Sequence, residues 1–318
     1  MNNLKKIGLT ALAASLVTTS AFAGALTVSG GASIGMKNTT GTKDPGSGKS
    51  FTMGNQITFS GSGELDNGLN VALSFVIDES DNDTSTTDGA ANGSIFDGHS
   101  VTLSSDALGT FKFSGEGGSS AQSAIDAGAA GDLWNNGTGV AEIAGAAAGD
   151  NSMFYTLPEV MDGVAITASM SPGRAAQETH TSYGLTYTGV EGLTVKYGTG
   201  DSGAPAAEIE STTMMASYAM GSFTAAVSNT EATKVGAANR EVQAYKISYT
   251  VTDDISVHYG EETYETVGAA TDEEIDSFGA SYTSGGMTIS ATTYATAGAG
   301  NTAGAKTDRW SLGLSFAF

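Results

Sequence analysis

Apolar and small polar residues alternate, one for one, through almost the whole chain. In "ALTVSGGASIGMK" Leu26, Val28, Ala32, Ile34 and Met36 fall on one parity, with Thr27, Ser29, Ser33 and Lys37 on the other. "SFTMGNQITFSGSGE" sets Phe51, Met53, Ile57 and Phe59 against Thr52, Gln56, Thr58 and Ser60. Side chains of an extended chain point to opposite faces in turn, whereas a helical stripe needs spacings of three and four. Such a chain builds strands with one apolar and one polar face. The pattern recurs from "LNVALSFVID" and "HSVTLSS" through "GTFKFSGE" and "LTVKYGTG" to "DRWSLGLSFAF", giving sixteen candidate strands in all. Composition agrees, because 44 glycines stand against 4 prolines, and glycine and threonine both disfavour helix.

Two short motifs that would suggest chemistry fail against this period. "GTKDPGSGKS" at 41–50 contains Gly-Ser-Gly-Lys-Ser, but a phosphate-cradling loop needs a glycine where Lys43 stands and a helix directly after the lysine. The residues after Lys49 alternate as a strand, so Gly46–Ser50 reads as the end of a loop between two strands. "GASIG" at 31–35 matches a nucleophile elbow, yet Ser33 lies mid-strand and not at the sharp strand-to-helix turn that motif requires. His99, His180 and His258 have no acid–base or metal-ligand spacing. An enzyme is not expected, and neither is a cofactor.

The breaks between strands alternate in length. Short turns at Asp66–Gly68, Asp106–Gly109, Pro158–Gly163, Val190–Gly192, Met220–Ser222, Thr252–Asp254 and Ser284–Gly286 interleave with long polar breaks. The long ones lie near 38–49, 79–97, 117–150, 171–179, 200–208, 230–239, 266–273 and 298–307. Seven short and eight long connections suit about sixteen antiparallel up-and-down strands with both ends on the short-turn side. The expected class is therefore all-β, a transmembrane barrel with its longest loop after the fifth strand.

Charge placement favours a wet interior over a soluble sandwich. Lys37, Lys112, Lys196, Lys246 and Arg309 all fall on the polar parity. A cation turned to the bilayer midplane would cost roughly 2–4 kcal/mol, so a lipid-facing barrel must avoid it. Asp276 and Asp308 break the rule, and each begins its strand beside a long loop, at the level of the headgroups.

The first residues carry Lys5 and Lys6, then the apolar run "IGLTALAASLVTTSAFA" ending in Ala-Phe-Ala. This reads as a cleaved export signal over 1–23, leaving a barrel domain over 24–318. No later stretch approaches the ~20 apolar residues of a spanning helix. Cysteine is absent, so no disulfides are expected even in an oxidising compartment. A formal charge of −21 argues against nucleic acid as a partner.

The final "RWSLGLSFAF" alternates Trp310, Leu312, Leu314, Phe316 and Phe318. With "SGGASIGM", "GLNVALSF" at 68–75 and "VTLSSDALGTFKFSGEGGSSAQSAI" at 101–125, it makes the chain resemble a general porin of the Gram-negative outer membrane. The compact alphaproteobacterial type is the most similar. The resemblance covers essentially the whole mature chain. It implies a homotrimer of sixteen-stranded barrels in outer-membrane lipid, passing small hydrophilic solutes by diffusion. It also implies that Trp310, Phe316 and Phe318 face lipid and form a signal for the outer-membrane assembly machinery. The family's loop after strand five folds into the lumen, and the matching segment here is 117–150.

That loop holds Ile125, Leu133, Trp134 and Ile143, which could pin it to the wall, and Asp126, Asp132, Glu142 and Asp150 without any basic residue. Phe111 and Phe113 point outward on strict alternation, so Lys112 and Glu116 point inward and complete a candidate constriction. Lys37, Lys196, Lys246 and Arg309 are the opposing wall cations. The chain lacks the family's arginine cluster, and a cation-preferring pore is expected. The alternative is a non-conducting surface or adhesin-like barrel, which conductance would separate. Asp78, Asp81, Asp83 and Asp88 in "DESDNDTSTTD" could hold calcium through hard oxygens, but a solvated acidic loop is the preferred reading.

Overall fold

A computed structural model describes residues 26–41, 48–78, 96–126, 145–173, 178–203 and 208–318. The leader segment 1–23 and residues Asp81, Asp83 and Asp88 lie outside the described residues. The strands are β1 (Thr27–Gly41), β2 (Gly48–Glu64), β3 (Asn70–Asp78), β4 (Phe96–Ser105), β5 (Gly109–Glu116), β6 (Ser152–Thr156), β7 (Val164–Ser171) and β8 (His180–Val190). They continue as β9 (Leu193–Ser202), β10 (Ile209–Met220), β11 (Phe223–Lys234), β12 (Arg240–Thr252), β13 (Ile255–Thr266), β14 (Glu273–Ser284), β15 (Met287–Ala297) and β16 (Lys306–Ala317). One short helical turn, α1 (Ser123–Asp126), comes after β5.

Each strand pairs antiparallel with its sequence neighbours, and β1 pairs with β16 from Gly31↔Ala317 to Gly41↔Thr307, so the sheet closes on itself. Beyond that ladder, Gly30 donates to the Phe318 carbonyl at 2.8 Å, and the Phe318 N–H donates back at 3.0 Å. A side chain at Gly30 would start 2.7 Å from the Phe318 ring, so a glycine is what lets the two strands meet there. Closure leaves no strand with an unpaired edge, which is how a long apolar sheet avoids edge-to-edge association.

Partner residues share a face, and the faces sort by polarity. Val28, Ile34, Phe51, Met53, Leu73, Ile247 and Phe278 stand between 53% and 76% exposed on the outer surface. The large side chains that are buried on the inside are few, chiefly Tyr264, Ile275 and Gln122 among glutamates, threonines and serines. A water-soluble sheet would bury the first group. Here the apolar face is turned out over the whole circumference, the arrangement of a membrane barrel.

Two expectations of strand extent are corrected. The break expected near 38–49 is shortened at both ends, because β1 runs on to Gly41 and Gly48, Lys49 and Ser50 of β2 pair with Thr39, Asn38 and Lys37. The Gly-Lys-Ser of the phosphate-loop decoy is therefore strand and not loop. The second correction falls at the end of β5. Ser114 pairs with Ser100, but Glu116 pairs with His99, leaving Gly115 as an extra residue. A bulge of this kind interrupts the alternation.

Candidate functional site

The polar parity that lines the barrel carries hydroxyls and glycines where a loop must seat. On β7, β8 and β10 these are Ser169, Ser182 and Thr213, all of them buried. The connection from β5 to β6 supplies the partner. It leaves the wall at Gly117, and Gly118 and Gly149 exchange backbone hydrogen bonds of 3.2 and 2.9 Å that tie its outgoing and returning limbs together. The Ala121 N–H then donates to Ser169 Oγ at 3.0 Å and to Ser182 Oγ at 2.8 Å.

Gln122 is fully buried. Its Nε2 donates to Thr213 Oγ1 at 2.8 Å, and its Oε1 accepts the Ala146 N–H of the returning limb at 2.8 Å. The Ala147 N–H reaches the Asp201 carbonyl on β9 at 2.9 Å. The described parts of the loop thus lie on the inner wall from β7 to β10.

Three glycines make the seat. Gly184 and Gly198 face each other across β8 and β9, and Gly200 pairs with Ser182. A Cβ at Gly184 or Gly198 would lie 3.0 Å from Ile125 Cδ1, and one at Gly200 would lie 2.7 Å from the Ala146 Cβ. Ile125 itself is 5% exposed. It does pin the loop, as its position in the sequence suggested, while Leu133, Trp134 and Ile143 lie outside the described residues. The sequence reading did not single out Gln122, the serines or the glycine seat. The available signal was a run of inward glycines on two adjacent strands, in "SYGLTYTG" and "VKYGTG".

The expected wall cations keep their face. Lys246, Gly260, Ser277, Tyr294, Arg309 and Thr39 form one row across β12, β13, β14, β15, β16 and β1. The Arg309 guanidinium lies 5.9 Å from the centre of the Tyr294 ring on that row. Lys37 sits on β1, Lys196 on β9 beside the seat, and Lys112 on β5. Seven strands lie between β8 and β16 on either side of the closed order, so Arg309 stands across the barrel from Ser182.

Of the expected acids, the Asp150 residue is exposed on the returning limb, the backbone of Asp126 ends α1, and Asp132 and Glu142 lie outside the described residues. Glu116 is corrected. Through the Gly115 bulge it shares the face of His99, whose Nδ1 lies 3.9 Å from its carboxylate. His99 pairs with Phe75, which stacks on Phe59 of the outer surface at 4.8 Å. One extra residue has therefore turned Glu116 outward, away from Lys112. Asp78 ends β3 on the inner parity opposite Gln56. Among the described residues no group of three or more His, Cys, Asp or Glu side chains is placed to hold a metal ion.

On the outer face of β16, Trp310, Leu312, Leu314 and Phe316 share one parity, and Phe316 and Phe318 are 41% and 76% exposed.

A sixteen-stranded closed barrel with an apolar exterior, a polar interior and a loop seated on its inner wall defines a membrane channel. The profile of the Gram-negative porins matches residues 8–318. The chain belongs to that family, whose members are outer-membrane channels. No curated protein matches it in sequence. Among solved structures it is similar to an anion-selective porin from Comamonas acidovorans, with 14% identity, a TM-score of 0.70, and 92% of this chain and 99% of that one covered. OmpT of Vibrio cholerae in its trimer form is similar at 14% identity and a TM-score of 0.66, covering 93% and 100%. A Salmonella typhi OmpF, solved with daunomycin, is similar at 13% identity and 0.67, covering 93% and 98%. At these identities the likeness is one of fold.

Proposed function

We propose that this porin is a water-filled, cation-preferring channel through which small hydrophilic solutes and ions diffuse passively. The observation that carries the reading is that Gln122 and Ile125 hold the described parts of the loop against the inner wall, inside a barrel whose inner face is polar. The charge preference is assigned to the same loop. Segment 117–150 carries four acids and no base, and fixed charges lining a narrow passage concentrate counter-ions there. Lys37 and Arg309, on β1 and β16, oppose it from across the barrel, while Lys196 stands beside the seat and Lys112 on the strand that leads into the loop, so the field runs from the far wall to the loop.

The chain is exported with its leader cut after Ala23, and its barrels associate as homotrimers in the outer membrane. Support for the trimer comes from the trimer form of V. cholerae OmpT. The anion-selective C. acidovorans porin shares the fold at 14% identity and decides nothing about charge preference here.

Planar-bilayer recording tests both parts. Discrete steps from the purified protein are expected, and a silent bilayer would leave the non-conducting barrel as the better reading. In a salt gradient the reversal potential should show cation preference that fades as salt rises, because the Debye length is only ~10 Å at 0.1 M. Neutralising Asp126, Asp132, Glu142 and Asp150 together to Asn or Gln should move it toward anions. Glu116→Gln, on the outer face, should leave it unchanged.

A further inference from the structure

The inner wall of a wet barrel has little reason to bury apolar side chains near its mouth, yet Tyr264 on β13 and Ile275 on β14 are wholly covered there. Both lie on the lumen parity, since the row that holds Lys246 passes through Gly260 and Ser277 of the same strands. Glu273 is Tyr264's partner on β14 and is covered as completely. The connection from β15 to β16 comes down beside them. β15 ends at Ala297, and Gly298 then turns with φ +65°, so close to the start of β14 that an added Cβ would fall on the Asp272 carbonyl oxygen.

Two side chains hold the residues that follow. Glu273 Oε2 accepts the Gly300 N–H at 2.7 Å, the short distance of a bond to a charged acceptor. Asn301 Oδ1 accepts the Thr266 hydroxyl at 3.2 Å, and its Nδ2 donates to the Thr271 carbonyl at 3.2 Å, with the Tyr264 carbonyl a longer contact at 3.5 Å. Asn301 stands at φ 51°, a left-handed backbone that asparagine tolerates better than most residues. Glu273 and Thr266 share the lumen parity, so the segment they hold lies on the inner side of the wall.

Internal bonds give that segment a shape of its own. The Thr302 N–H donates to the Gly298 carbonyl at 3.1 Å, the Ala305 N–H to the Thr302 carbonyl at 3.1 Å, and the Ala299 N–H to the Ala305 carbonyl at 3.3 Å. Ala299 is fully buried and Ala305 nearly so, while Ala303 and Gly304 are exposed. Residues 298–305 therefore form a compact strap, clamped at Gly300 and Asn301 with its tip in the open.

We propose that this strap is a second restriction, at the long-loop mouth, which sets the largest solute able to enter, and that Glu273 and Asn301 are the residues that position it. The inference rests on the reading of the protein as an open channel. Segment 298–305 carries no charged residue, so it excludes by bulk and leaves charge preference to the 117–150 loop. β11 and β12 separate its wall from the seat of that loop on β7 to β10, so the two restrictions stand on different parts of the barrel. Glu273, although acidic and on the lumen parity, is buried where it holds Gly300 and serves the strap and not the ion path.

The chain has no cysteine, so an introduced thiol reports where the strap lies. In Ala299→Cys the thiol should be protected from a water-soluble maleimide in the folded protein. Adding Asn301→Gly should raise its labelling rate about tenfold or more, the scale set by losing the two side-chain bonds to Thr266 and Thr271. Glycine keeps the left-handed backbone and removes only the clamp. In liposome-swelling assays, Asn301→Gly and Glu273→Ala should raise the rate of trisaccharide entry relative to pentose, in step with the labelling. Glu273→Gln retains an acceptor oxygen for Gly300 and should keep the wild-type ratio. Gel mobility before and after heating shows that each variant still forms the barrel. Prompt labelling of Ala299→Cys alone would overturn the placement of the strap. Pentose entry with one constant trisaccharide-to-pentose ratio across all variants would overturn the sieve and leave the channel standing. No pentose entry by any of them would overturn the channel reading, and the sieve with it.

Discussion

Both ends of the Gln122 amide are used, since Nε2 donates to Thr213 and Oε1 accepts from Ala146. The orientation is set by chemistry, because only the oxygen can receive the Ala146 N–H. Gln122→Ala would strand that buried donor, and a buried group left unpaired costs about 1–3 kcal/mol. The barrel has its own ladder and should survive, so the expected outcome is local. Single-channel current should become noisier, and added protease should cut within 117–150 faster than in wild type, while the heat-induced gel shift stays at the wild-type temperature. Glu116 shows what alternation can and cannot reveal at this scale. The parity of Lys112 was readable because no extra residue intervenes before it. That of Glu116 was not, because Gly115 in "FSGEGG" looks like any other strand glycine until its partner strand is known.

At the scale of elements, strand existence was readable almost throughout, since each of the sixteen alternating stretches became one strand. Their ends were less so. β1 and β2 extend each other through Lys49 because a paired edge stabilises residues with little strand preference of their own. The loop seat lay further from view. It depends on Gly184 meeting Gly198 across two strands, a register that no single segment contains. Gly198→Val should fill the seat and push Ile125 and Gln122 off the wall, changing conductance at unaltered barrel stability. On β16, the deletion of Phe318 removes both backbone bonds to Gly30 as well as an exposed aromatic ring. We expect lower membrane yield and an oligomer that dissociates at a lower temperature, measured by unheated and heated gels. Normal yield and stability would show that Phe318 serves neither closure nor assembly.

Across the whole molecule, the barrel class was legible in period, connection lengths and the placement of cations, because each of those is a global property repeated many times. Which residues meet in the lumen is not repeated, and so it shows only in the folded chain. The outward apolar surface makes a simple expectation. Freed of detergent or lipid the folded protein should precipitate, and in detergent micelles it should give a β-dominated circular dichroism spectrum; a soluble monomer in plain buffer would contradict the sidedness of the sheet. The pairing of β1 with β16 has a further consequence, in time rather than in space. During synthesis the first strand emerges with one of its two neighbours still unmade, and it waits until nearly every other residue has been added. No partial product can finish the ring, and every partial product shows its greasy side and two raw edges. Closure of this barrel must therefore wait for its last strand, and any product folded before then is an open sheet.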